Sequence, residues 1–188
     1  MGPGMIAVII IIVIIVILAL IVIGTYNGLV KARNNVEEGF STMDVYMKKR
    51  FDLIPNLVET VKGYAAHEAS TLEKVVQARQ MISKAPDEQA RMNGETQLST
   101  ALKSLFAIAE SYPELKANQN FVNLQNQLRT CEEDIANSRK YYNAVVKDYN
   151  NQVQVFPKNI IANMFHFVRK PMYEVTAAEE RETVQVKF

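Results

Sequence analysis

The residue types that carry catalysis are few in this chain, and their spacing does not assemble a site. His67-Glu68 has the opening of a His-Glu-x-x-His zinc motif, in which two imidazoles one helical turn apart hold the metal and the glutamate works on its bound water. The second histidine belongs at position 71, which is Thr71, and the only other histidine, His166, stands far along the chain. The pair therefore reads as a capping or surface feature. Cys131 falls between Leu128 and Ile135 on an apolar helical seam. A nucleophilic thiol needs a base and access, and neither is implied, so Cys131 reads as a small core residue. Arg50, Asp52, Asn56 and Glu59 gather around Pro55. They form either a polar patch for a partner or, the preferred reading, a hydrogen-bond network serving backbone groups that the proline frees. Tyr26, Tyr142 and Tyr149, each followed by asparagine, read as core rings with polar tips. No Gly-rich phosphate loop, Ser/His/Asp set or paired-carboxylate cleft can be built. No catalytic, cofactor-binding or metal-ligating residue is assigned, no cofactor is called for, and the chain reads as a non-enzyme.

The elements around these residues are helical. The first is a membrane segment. Residues 5–23 are 19 uninterrupted apolar residues, ten of them isoleucine and four valine. As a helix the run is about 28 Å long, close to the hydrocarbon thickness of a bilayer. A signal peptide would carry a basic leader and a shorter apolar stretch, and a strand of this length would be unusual. Residues 1–4 then form an N-terminal tail. Lys31 and Arg33 lie just past the run and no cation precedes it, so the positive-inside rule places the bundle beyond the span in the cytoplasm.

Beyond the span, 26–51 reads as a helix with Tyr26, Leu29, Val36, Phe40, Met43 and Met47 on one stripe, and the membrane helix can run on into it. Pro55 either kinks this helix or opens the next, whose stripe from Leu57 through Tyr64, Leu72 and Val76 to Ile82 ends near Ser83. Ala85-Pro86-Asp87 is a turn, and Asn93-Gly94 a second break. A third helix covers 95–110, burying Leu98, Leu102, Leu105, Phe106 and Ile108. Ser111-Tyr112-Pro113-Glu114 has capping-box spacing and starts a short helix. The last long helix, 118–155, carries a heptad ladder at 121, 124, 128, 131, 135, 138, 142, 145, 149, 152 and 156, apolar at nine of eleven positions. Four amphipathic helices with short connections imply an all-α fold: an antiparallel up-and-down four-helix bundle over 26–170, followed by a loosely ordered tail, 171–188.

With balanced charge, 21 basic against 20 acidic residues, no excess of either sign argues for nucleic acid or for an anionic membrane surface as the main partner. One cysteine excludes an internal disulfide. The run Asp52-Leu53-Ile54-Pro55-Asn56-Leu57-Val58, continuing through Thr60-Val61-Lys62-Gly63-Tyr64-Ala65, together with Tyr112-Pro113, Tyr142-Asn143, Tyr149-Asn150 and Phe156-Pro157, resembles the LemA family of bacterial membrane proteins. The resemblance covers essentially the whole part beyond the span. It implies a short N-terminal tail, one membrane span and a four-helix up-and-down bundle, and it does not imply an enzyme. A related branch in magnetic bacteria is linked to building magnetosome membranes. Two positions depart from the family pattern. Gly39-Phe40 precede Ser41 where many relatives have Ala-Trp, and Gly24-Thr25 stand where some relatives carry a lipid-modified cysteine.

These readings converge on a scaffold or adaptor held in the cell (inner) membrane by residues 5–23, with further copies of itself and other membrane proteins as partners. Self-association is expected on the helix nearest the membrane or on the apolar segment 160–167, which could instead fold back to cap the bundle. A ligand sensor with a cavity between helices and an unrecognised hydrolase are the alternatives.

Overall fold

The computed structural model describes residues 2–65 and 67–173. These form six helices and no strand: α1 Pro3–Lys62, α2 Ala69–Ser83, α3 Glu88–Ala109, α4 Pro113–Ala117, α5 Gln119–Gln154 and α6 Lys158–Met164. The protein is all-α, with an N-terminal helix long and apolar enough to cross a membrane leading into a helical bundle.

α1 opens at Pro3, where the missing N–H costs nothing because first-turn amides lack helical partners. It runs 60 residues without interruption, so the membrane segment does continue into the first bundle helix. Gly24 and Thr25 do not break it. Pro55 lies inside α1 rather than at a boundary. α1 ends later, at Lys62, and α2 begins at Ala69, so the stripe expected from Leu57 to Ile82 is divided between the end of α1 and α2. Tyr64 and Val76, expected on that stripe, are exposed.

Two compact units are distinguished. One takes in Met1–Phe40 and Tyr141–Met172; the other takes in Ser41–Lys140 and, among the described residues beyond them, Tyr173. In the first unit, α1 and the end of α5 bury Leu29, Ala32, Val36, Tyr142, Val146 and Tyr149. The helices approach closely at Gly39, where a Cβ would lie 3.2 Å from Val145 Cγ2. After α5 the chain turns through α6 and returns along the unit. The Tyr149 and Tyr142 hydroxyls donate to the carbonyls of Val168 and Pro171, each at 2.9 Å. Asn150 clasps the Lys170 backbone through Nδ2 to O and N to Oδ1, both 2.9 Å. These rings and their polar tips are therefore structural, and segment 160–167 does fold back, with Ile161, Ala162 and Phe167 buried.

The second unit is a bundle of the end of α1, α2, α3 and the first half of α5. Its core includes Ile54, Leu57, Leu72, Leu98, Leu105 and Leu128. Asn93-Gly94 is not a break: α3 begins at Glu88, capped by Asp87, whose Oδ1 accepts from the Ala90 amide at 2.7 Å. Gly94 packs on α2, where its missing side chain admits Ile82. α4 begins at Pro113 with Tyr112 in the cap position and no side-chain cap, so Ser111 does not close a capping box. Asn118 precedes α5 and accepts from the Phe121 amide at 3.0 Å. Of the expected third-helix core, Phe106 and Ile108 are half-buried.

The heptad ladder of α5 holds from Phe121 to Tyr142; beyond it Tyr149 stays buried while the alternate positions 145, 152 and 156 slip. Val146 and Val153 are buried, Val145 and Gln152 are half-buried, and Phe156 is 74% exposed. A straight helix of 3.6 residues per turn drifts about 20° per heptad from a 3.5-residue repeat, enough over this length to move the buried face by one position. Tyr173, placed by the sequence in a loose tail, is buried; its hydroxyl donates to the Met92 carbonyl at 3.2 Å. The remainder of that tail, 174–188, lies outside the described residues.

Candidate functional site

The most concentrated polar chemistry lies inside the second unit, where three helices bring charges to one point. Arg50 on α1 is fully buried. Its Nη2 donates to Glu95 Oε2 on α3 and, at 3.2 Å, to the Glu95 carbonyl. Its Nη1 donates to Ser99 Oγ at 2.6 Å and to Glu132 Oε1 on α5. Ser99 in turn donates to Glu132, 3.2 Å from Oε2. Glu95 is as buried as Arg50, whereas Glu132 is 36% exposed.

One guanidinium thus faces two carboxylates. Burial works against the Arg50 charge, but Glu132 and Glu95 outweigh it and hold its pKa above the ordinary value. Burial also pushes the Glu95 carboxyl up, an effect that Arg50 only partly offsets. The chief reason is desolvation: a carboxyl cut off from water is penalised in its charged form, and the nearby Glu132 carboxylate adds a smaller push in the same direction. Arg91 pairs with Asp44 elsewhere in the same unit.

The sequence stripes contain the signal for this cluster. Arg50 continues the apolar series Met43, Met47, Ile54 and Leu57, and Glu95 continues Met92, Leu98 and Leu102. A charge at a core position of each of two helices, opposite in sign, marks a buried pair. Of the polar group expected around Pro55, Arg50 is drawn into this cluster and away from the proline. Asp52 is exposed and pairs with Lys48 at 3.2 Å, while Asn56 and Glu59 are also exposed. The carbonyl that Pro55 frees is Phe51 O, and its donor is Arg79 Nε on α2, 3.4 Å away.

His67 is exposed. Glu68 stands at the N-cap position of α2 and accepts from the Tyr112 hydroxyl at 3.0 Å. Cys131 is buried, and burial raises its thiol pKa, the opposite of what activates a nucleophile. His166 lies in the other unit, exposed and with a positive φ of 58°. Among the described residues no group of three or more His, Cys, Asp or Glu side chains could hold a metal ion. A groove of about 370 Å³ between α3 and α5 is lined by Ser99, Lys103, Phe106, Arg129 and Glu132, so the cluster reaches solvent at its Glu132 edge.

Comparison with known proteins bears on what this architecture is. Protein LemA of Metamycoplasma hominis is 21% identical over 160 residues, covering 85% of this chain and 73% of that protein. Magnetosome protein MamQ 2 of Paramagnetospirillum magneticum is 22% identical over 175 residues, covering 79% of this chain and 64% of the relative, so slightly less than two thirds of that protein is spanned. Magnetosome protein MamQ of Magnetospirillum gryphiswaldense is 23% identical over 197 residues, covering 90% of this chain and 72% of the relative. Residues 39–188, which take in the whole Arg50–Glu95–Glu132 cluster, match the model described as LemA family. The chain belongs to the LemA family.

Proposed function

We propose that this protein is a membrane-anchored, non-enzymatic scaffold: residues 5–23 hold it in the cell (inner) membrane, and its helical bundle engages other copies and other membrane proteins. The observation that carries this reading is α1 itself. Its apolar N-terminal stretch buries none of its surface within the protein and passes without a break into bundle residues. The seventeen large apolar side chains of 5–23 left in water would be strongly unfavourable, at roughly 1.5–3 kcal/mol each; in a bilayer the same surface stabilises insertion. The Arg50 cluster fits a structural role in this scheme, because the buried Arg50 and Glu95 spend their charges on one another and only Glu132 reaches the groove. The magnetosome relatives are consistent with work at a membrane. Lys31 and Arg33 beyond the span favour a cytoplasmic bundle.

Anchoring confines copies to two dimensions and raises their effective concentration, so modest contacts suffice for assembly. Crosslinking in native membranes followed by affinity capture tests the scaffold reading. Discrete products containing further copies or other membrane proteins are expected, and a chain that crosslinks to nothing would overturn it. Topology is tested separately: protease added outside intact cells should leave the bundle whole.

The groove beside Glu132 supports a second reading, a sensor whose ligand contacts Lys103 or Arg129 and, through Glu132, biases the buried cluster. This reading requires a ligand that raises the melting temperature of the wild type and loses that effect in Arg129→Ala.

A further inference from the structure

Where α1 leaves the apolar run, the first unit presents a second apolar surface. Tyr26 lies three residues past Ile23, about 4.5 Å along the helix axis at 1.5 Å per residue. Its ring packs edge-on against Phe165, with centroids 4.8 Å apart, and against Phe167 at 5.7 Å. The segment that includes α6 is therefore fixed at the very end of the span. One side of this segment faces inward, with Ile161, Ala162 and Phe167 buried. The other side is also apolar and exposed: Phe156 74%, Ile160 55%, Met164 56% and Val168 68%. An element apolar on both sides is ordinarily enclosed, yet this one is covered on one side only.

We propose that residues 156–168 lie in the interfacial layer of the bilayer, as a second, monotopic lipid contact beside the spanning helix. The proposal rests on residues 5–23 spanning the bilayer. Three observations favour lipid as the occupant. The first is position: the layer between hydrocarbon and water is about 5–8 Å thick on each side, which matches the axial height of Tyr26 and the rings stacked on it. The second is charge. From Tyr149 to Tyr173 there is no Asp or Glu, whereas Lys158, Arg169 and Lys170 are cationic, and Lys31 and Arg33 follow the apolar run on α1. Cations flanking an exposed apolar face suit an anionic headgroup layer. The third is preorganisation. The Phe167 amide donates to Ala162 O at 2.9 Å, and the Tyr149 hydroxyl and Asn150 clasp fix Val168 and Lys170. The apolar face is thus presented ready-made, and little ordering entropy opposes its insertion.

The chain contains no tryptophan, so a single introduced one reports its own surroundings. The full-length protein, carrying Ile160→Trp or Met164→Trp, is reconstituted into vesicles of phosphatidylcholine and phosphatidylglycerol whose acyl chains are brominated near the carbonyl end or near the methyl end. Ile14→Trp in the middle of the run reports the span, and Val45→Trp, 66% exposed on α1 beyond the first unit, reports water. Shallow bromine should quench both α6 probes by about two-fold or more, as expected for burial about 5–10 Å into the headgroup and acyl boundary. Deep bromine should quench Ile14→Trp most, and neither should quench Val45→Trp. Unquenched α6 probes beside a quenched Ile14 probe would overturn the proposal and leave the anchor standing. So would α6 emission that is blue-shifted without quenching and reverts when the protein is diluted in lipid, which would identify a second copy as the occupant. An unquenched Ile14 probe would overturn the anchor, and this proposal with it.

Discussion

Arg79 on α2 supplies to Phe51 the donor that Pro55 withholds: its Nε lies 3.4 Å from the Phe51 carbonyl, and its guanidinium carbon lies 4.1 Å from the centroid of the Phe51 ring. A proline inside a helix removes one N–H and orphans the carbonyl four residues earlier, and in α1 a neighbouring helix serves that carbonyl. Arg79→Ala should destabilise the protein by about 1–2 kcal/mol, combining a lost charged hydrogen bond with a lost cation–π contact. Pro55→Ala restores the amide within α1. In that background Arg79→Ala should lose about 1 kcal/mol less. Urea unfolding of the four proteins in the cycle measures the coupling, and strict additivity would show that Arg79 and Pro55 act independently.

The Arg50 cluster makes a larger prediction. Replacing Arg50 by methionine keeps much of its length but strands Glu95 beside a second carboxylate in a dry interior. The expected loss is about 3–5 kcal/mol, as for a broken buried ion pair. Adding Glu95→Leu should recover a substantial part of it, because the remaining Glu132 reaches water. Chemical denaturation of both variants decides the matter. A double variant as unstable as Arg50→Met alone would mean that the loss comes from shape and packing rather than from an unpaired charge.

Glu95 also gives stability a dependence on pH. Burial raises its folded-state pKa, only partly countered by Arg50, above the ordinary value of 4.5. Between the unfolded and folded pKa values the native state therefore binds more protons than the unfolded chain, so this group's contribution to stability falls as pH rises through that window. Glu95→Gln cannot titrate. Relative to the wild type it should become more stable as pH climbs from about 4 through the folded pKa of Glu95, and the difference should then level off. Denaturation midpoints of the two proteins across that range test the sign, and a difference independent of pH would place the Glu95 pKa at its unfolded value.

The division between what was legible in the sequence and what was not reflects the range of the interactions. The apolar run and the stripes through Met43, Met47, Leu98 and Leu128 are local patterns, and they located the helices. The ends and partners depend on contacts distant in sequence. Pro55 and Asn93-Gly94 are strong local breakers, yet both lie within helices, one because Arg79 replaces a missing donor and the other because Ile82 occupies the space a side chain would take. The site was legible only in part. By sequence Arg50 belongs with its neighbours Asp52 and Asn56; only the packing of three helices brings Glu95 and Glu132 to it. Tyr142 and Tyr149, by contrast, had the ring-and-tip chemistry expected of them, because an amphipathic side chain on a buried stripe must find an acceptor wherever the chain passes.

Gly94 tests the close approach of α3 to α2 directly. A Cβ at this position would lie 2.9 Å from Ile82 Cγ1 and 3.2 Å from the Ile82 amide nitrogen. Two effects oppose each other in Gly94→Ala. Alanine favours a helix interior over glycine by about 1 kcal/mol, and overpacking typically costs about 1–3 kcal/mol. Because part of the obstacle is backbone, which cannot rotate away as a flexible side chain can, overpacking should prevail and leave the variant less stable by about 1 kcal/mol. Ile82→Ala removes the nearer atom and alone should cost about 2–5 kcal/mol as a large-to-small core change. In that background the side-chain contact is gone and only the tight backbone contact at 3.2 Å remains, so Gly94→Ala should cost less than it does in the wild type. The smaller loss in the second background, read from thermal or urea unfolding, identifies contact with the Ile82 side chain as part of the reason for the glycine. A Gly94→Ala variant that stabilises the wild type outright would show that the helices part without loss and that the glycine serves no packing role.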